Sequence, residues 1–75
     1  MKKYFEAHIA QFDENNIPDT KLMVCVKADS KPSKEILELE FEEVLNEYEN
    51  CEIGGICEIP EDEALESYED EIVEL

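Results

Sequence analysis

Apolar and polar residues alternate in the first third of the chain, with the period of two that a β-strand requires. One such run covers residues 3–12, and a second apolar and β-branched run covers residues 20–28. The residues between them, 13–19, are rich in turn formers. The pattern predicts an antiparallel hairpin with a long loop.

The apolar spacing becomes helical in two later segments. Ser33 is a suitable helix cap, and the apolar stripe behind it predicts one helix over residues 33–49. This predicted stripe consists of Leu37, Phe41, Val44, Leu45 and Tyr48. Pro60, followed by three acids, predicts the start of a second helix over 60–73. Its predicted apolar stripe consists of Ala64, Leu65, Tyr68, Ile72 and Leu75.

Residues 51–59, between the two helices, have the composition of a strand. Gly54-Gly55 marks either a bulge within it or the turn of a very small hairpin, and one bulged strand is the preferred interpretation. The predicted order is β-β-α-β-α. We expect a single α+β domain over 1–75, in which a three-stranded antiparallel sheet carries two helices packed on one face.

Chain length, hydropathy and cysteine content predict the number of domains, the location of the protein and the state of its thiols. Seventy-five residues suffice for one domain with a modest core. No apolar run reaches the roughly 18 residues of a membrane span, and the N-terminal residues do not form a signal peptide, so we expect a cytoplasmic protein. Cys25, Cys51 and Cys57 are an odd number set among apolar residues, which predicts reduced core thiols.

Charge is divided very unevenly along the chain. The net charge is -16, yet all six lysines lie in residues 1–34. Residues 35–75 contain 17 of the 22 acids and no lysine or arginine. The C-terminal half therefore carries essentially all the net charge.

Familiar catalytic and metal-binding patterns do not account for this charge. His8 is the only histidine and has no nucleophile beside it in sequence. Cys51 and Cys57 are spaced too widely for a usual zinc site, and the acidic runs lack the ligand spacing of a calcium loop. We therefore expect no catalytic residues, no metal site and no cofactor, and a protein that is not an enzyme.

The acids are spaced in a way that costs stability. Exposed helices usually place a base three or four residues after an acid, but here Glu43 is followed by Glu47 and Asp62 by Glu66. The predicted helices carry one acid per about 3.6 Å and 3 Å of axis, close to the about 3.4 Å per charge of a nucleic-acid strand. Two adjacent helices would thus approach the charge density of a duplex. The predicted partner-binding residues are Glu38, Glu40, Glu42, Glu43, Glu47, Tyr48, Glu61, Asp62, Glu63, Glu66, Tyr68, Glu69 and Asp70.

In composition and charge layout, residues 35–75 resemble the small acidic DNA-mimic inhibitors of phages and mobile elements. That resemblance implies an inhibitor that occupies the basic nucleic-acid-binding groove of a host defence or DNA-processing enzyme, of the anti-CRISPR or anti-restriction type. The expected partner is a basic nuclease or effector complex, with no direct binding of nucleic acid or membrane, and the expected state is a monomer or small homo-oligomer. The alternative is an acidic adaptor or regulatory module that binds a host protein unrelated to nucleic acid.

Overall fold

A computed structural model describes residues 1–75 and shows an α+β fold. The elements are β1 (Lys3–Phe12), β2 (Pro18–Ala28), α1 (Lys34–Glu40), α2 (Glu42–Glu47), β3 (Cys51–Ile59), α3 (Glu61–Tyr68), a 3-10 turn (Glu69–Glu71) and β4 (Ile72–Glu74). The four strands form one sheet with the order β3-β1-β2-β4. None of the helices has the length and apolar content that crossing a membrane requires.

The predicted N-terminal hairpin is confirmed. Strands β1 and β2 pair antiparallel along their whole length, with one register shift after Ile9. The loop is closed by the Asp13 carboxylate, which accepts hydrogen bonds from the backbone N–H groups of Asn15 at 2.8 Å and Ile17 at 3.0 Å. Such side-chain acceptors favour a turn over continued strand, which is why the hairpin reverses here.

The preferred interpretation of the glycine pair is also confirmed, because β3 is one strand with a bulge. Strand β3 pairs antiparallel with β1, and the register shifts opposite His8, where β3 has one extra residue. The His8 imidazole lies directly against Gly54, so that a Cβ there would stand 2.0 Å from Nε2. Only glycine leaves room for this close approach.

The single helix predicted over 33–49 is wrong, because the structure breaks it at Phe41. The Ser33 hydroxyl accepts the N–H of Ile36 at 3.3 Å and caps α1 as expected. Phe41 then leaves helical geometry, with φ -105° and ψ 25°, and packs half-buried against the core. The break lies in the densest part of the acidic run, where repulsion between like charges opposes a continuous helix.

The second predicted helix also ends early. Helix α3 stops at Tyr68, and the next residue, Glu69, has a positive φ of 41°. Ile72 and Val73 do not continue the helix but join β4, which pairs parallel with residues 25–27 of β2. Two adjacent β-branched residues favour a strand, and the free edge of β2 supplies the backbone partners. The sheet is therefore four-stranded and mixed.

The helices lie on opposite faces of the sheet, so the prediction of one shared face is wrong. Leu37 of α1 joins the larger core with Phe5, Ala7 and Ile9. Ala64 and Tyr68 of α3 pack in a second core with Tyr4 and Cys25. Alternate residues of a strand point to opposite faces, so these two clusters lie on opposite sides of β1.

Chain topology explains this arrangement. Strands β2, β3 and β4 are mutually parallel, which follows from the antiparallel pairing of β1 with both β2 and β3. The β2-to-β3 connection crosses the sheet in one direction and the β3-to-β4 connection returns in the other. Parallel crossovers are right-handed in about 98% of cases, and two right-handed crossovers in opposite directions place their helices on opposite faces.

Candidate partner-binding surface

The acids of the helices and the 3-10 turn, among them all the predicted acidic binding residues, form two separate surfaces. The α1–α2 surface comprises Glu35, Glu38, Glu40, Glu42, Glu43 and Glu47. The α3 surface comprises Glu61, Asp62, Glu63, Glu66, Glu69, Asp70 and Glu71. All of these side chains are exposed except Glu38, which is half-buried. Because the helices occupy opposite faces, the expected single strip of two adjacent acidic helices is wrong.

Four of the six lysines pair with acids that lie outside the helices. Four ion pairs with N···O distances of 3.3–3.8 Å join Lys2 to Glu74, Lys3 to Glu58, Lys21 to Asp19, and Lys34 to Glu52. The Lys27 ammonium lies 5.5 Å from the ring centre of Tyr4. No lysine pairs with an acid of the α1–α2 or α3 surface. Folding therefore leaves both surfaces as uncompensated as the linear sequence does.

Of the two predicted contact tyrosines, only Tyr48 is exposed. Tyr68 is buried in the second core, and its hydroxyl donates a 2.6 Å hydrogen bond to Glu6 of β1. This contact ties α3 to the sheet and removes Tyr68 from the binding surface. Tyr48, just beyond α2, is 38% exposed and stays available to a partner.

The same core holds two groups with raised pKa values. Burial, with a smaller contribution from the Glu6 carboxylate, raises the pKa of the Cys25 thiol. Burial and the hydrogen bond to Glu6 raise the pKa of Tyr68 well above its ordinary value near 10. Of the three free cysteines only Cys25 is a core thiol, because Cys51 is half-buried and Cys57 is exposed on edge strand β3.

We expect Tyr68→Phe to weaken the protein at neutral pH and to weaken it less at high pH. The variant leaves the Glu6 carboxylate without its donor, a loss of about 1.5–3 kcal/mol for a hydrogen bond to a charged group. The Tyr68 pKa is higher in the folded protein than in the unfolded chain, where it is near 10. The stability that this difference contributes is therefore complete below pH 10 and is lost progressively as pH rises from there through the folded-state pKa. In urea unfolding at pH 8, 10 and 11, the difference in the free energy of unfolding between wild type and the variant should therefore become smaller as pH rises. Tyr48→Phe is the matched control, and a difference that stays constant with pH would contradict the assignment.

Two exposed apolar residues of α1 were missed by the sequence reasoning. Leu39 is 74% exposed and Ile36 is 50% exposed, and their spacing of three places them side by side on the helix. Leu39 stands about 200° around the helix from the fully buried Leu37, on the side away from the sheet. The signal was present in the sequence, because both residues fall outside the predicted apolar stripe.

Metal-binding geometry is not found: no group of three or more His, Cys, Asp or Glu side chains is placed to hold an ion. Comparison with protein families, curated proteins and solved structures returns no match. The likeness to DNA-mimic inhibitors therefore depends on the composition and charge layout of residues 35–75 alone.

Proposed function

We propose that this protein is an inhibitor that mimics the charge of nucleic acid and occupies the basic nucleic-acid-binding groove of a DNA-processing or defence enzyme. The observation that carries the proposal is the placement of the lysines. Their four ion pairs all go to acids in strands, and the acids of α1, α2 and α3 have no cationic partner. Neighbouring acids on a helix repel each other and lower the stability of the fold. A cationic partner protein would explain why the chain keeps them.

The shape of the molecule supports the same proposal. It measures 41 × 21 × 18 Å, so it is an elongated body with acids on both faces of its sheet. Its net charge of -16 amounts to about one charge per 2.6 Å of length, against one per about 1.7 Å for duplex DNA. Like a duplex, it presents negative charge to both walls of a surrounding groove. The sequence predicted acids on one face of the sheet only. Because the helices lie on opposite faces, the protein instead presents acids on both.

Association by this means is fast and sensitive to salt. A dense field of one sign steers a partner of opposite sign during diffusional encounter. Salt screens the attraction once the Debye length is shorter than the distance between the opposite charges. The Debye length is about 10 Å at 0.1 M salt and about 3 Å at 1 M. The inhibitor should therefore be most effective at low ionic strength.

The adaptor alternative retains one structural observation in its favour. Strand β3 is an edge strand, and its outer backbone groups are free to pair with an extended segment of another protein. Binding of that kind depends on backbone hydrogen bonds rather than on the helix acids. Its dependence on salt should be weak, so the two functions predict different results in one assay.

We expect the protein to displace labelled duplex DNA from an enzyme of the inhibited class. Purified restriction endonucleases, DNA-repair glycosylases and CRISPR effectors form the test panel, with displacement followed by fluorescence anisotropy. The inhibitor should compete with DNA at 50 mM NaCl and lose most of its affinity by 200 mM, as nucleic acid itself does. If an enzyme binds this protein without releasing its DNA, and binds it equally well at both salt concentrations, the result would favour the adaptor function.

A further inference from the structure

The exposed apolar pair of α1 has no role in the core. Leu39 and Ile36 adjoin each other on the outside of the helix, while Leu37 alone supplies the fully buried contact of α1 with the sheet. An exposed leucine by itself is ordinary. Here, however, two neighbouring aliphatic side chains stand within a helix whose flanking residues, Glu35, Glu38 and Glu40, are all acidic.

This arrangement has the form of an interface core with its rim. The centre of a protein–protein interface is more apolar and poorer in charge than the polar rim that surrounds it. Leu39 and Ile36 match the apolar centre, and the glutamates of the α1–α2 surface match the polar rim. The α3 surface also has an exposed leucine, Leu65, but it is 47% exposed and has no second exposed aliphatic residue beside it.

The charges around the pair select its occupant. Nucleic acid and anionic lipid surfaces carry the same sign as the glutamates and are repelled. A second copy of this chain would bring the same glutamates face to face. A neutral apolar surface would bury carboxylates without partners, which is costly. A cationic protein surface satisfies both the acids and the apolar pair.

We propose that the α1–α2 surface, and not the α3 surface, is the primary docking site, and that it binds a lysine- or arginine-rich protein surface with an apolar contact at its centre. This inference rests on the proposed function. It assigns recognition of the basic groove to the α1–α2 surface, through apolar contact together with charge pairing. Leu39 and Ile36 anchor the contact. The acids of the α3 surface add to the attraction during encounter but do not anchor the partner.

The test uses two synthetic peptide probes of 18 residues and equal charge. One is a helix with a stripe of leucines that is flanked on both sides by lysines, and the second has serine at every leucine position. Calorimetry on the full chain at low salt should show about 10-fold to 100-fold tighter binding of the leucine probe, the gain expected from burying one aliphatic side chain. Equal affinity of wild type for the two probes would overturn the proposal.

Matched variants identify the face. Combined Ile36→Ser and Leu39→Ser should abolish the preference for the leucine probe, whereas Leu65→Ser should retain it. All three residues are exposed, so thermal unfolding is expected to be unchanged and serves as the folding control. Loss of the preference in Leu65→Ser but not in the α1 variant would assign docking to α3 and refute the inference.

The DNA-displacement assay separates this inference from the proposed function. Displacement that persists in the α1 variant and fails in Leu65→Ser supports inhibition but refutes docking through α1–α2. A leucine preference that depends on Leu39, in a protein that displaces DNA from no enzyme, supports the docking site and refutes inhibition by DNA mimicry.

Discussion

Reversing one acid on each acidic surface, Glu47→Lys together with Glu66→Lys, should leave the protein folded and weaken binding to a basic groove by at least about 100-fold. Glu43 precedes Glu47 by four residues within α2, and Asp62 precedes Glu66 by four within α3. Each reversal converts a repulsive pair into an attractive one, worth about 0.2–0.5 kcal/mol. At the interface the new lysines face cations, and such like-charge contacts cost several kcal/mol.

The matched control reverses two acids that lie outside the helices. Glu14 and Asp29 are exposed and belong to neither acidic surface, so Glu14→Lys with Asp29→Lys changes the net charge equally. Both variants are compared in the DNA-displacement assay and in thermal unfolding. If the control loses as much affinity as the helix variant, only the total charge matters, and the helices are not a binding surface. Glu47→Lys alone should weaken binding more than Glu66→Lys alone, since the inferred docking site is on α1–α2.

The second large effect is expected from Leu37→Ala. Leu37 is fully buried and is the only buried residue that either α1 or α2 contributes to the larger core. Truncating a buried leucine costs about 2–5 kcal/mol, against a total stability of about 5–15 kcal/mol for a small domain. At about 4–8 °C per kcal/mol for a chain of this size, Tm should fall by roughly 8–40 °C.

Leu39→Ala, two residues along the same helix, is the control for that experiment. Its side chain is 74% exposed, so the free energy of unfolding should change by no more than about 0.5 kcal/mol. Circular dichroism during heating and urea titration measures both variants. Equal destabilisation by the two substitutions would show that α1 does not pack as described.

Features that depend on local sequence were predictable. The period-two runs and the turn residues around Asp13 predicted the hairpin, the glycine pair predicted the bulge, and Ser33 predicted the start of α1. Each of these depends on residues within a few positions of one another. The uneven charge is likewise a property of the linear chain, so the acidic candidate residues were found from it directly.

Contacts between distant segments decided the rest. Residues 72–75 have apolar spacing that suits the end of a helix, and only the free edge of β2, more than forty residues earlier, converts Ile72–Glu74 to a strand. Tyr68 falls on the predicted stripe, but its place in a core on the opposite face follows from the handedness of two crossovers. That handedness is a property of the assembled sheet. Sequence by itself therefore determined which residues are acidic and uncompensated, and the tertiary structure alone determined that they occupy two opposite surfaces.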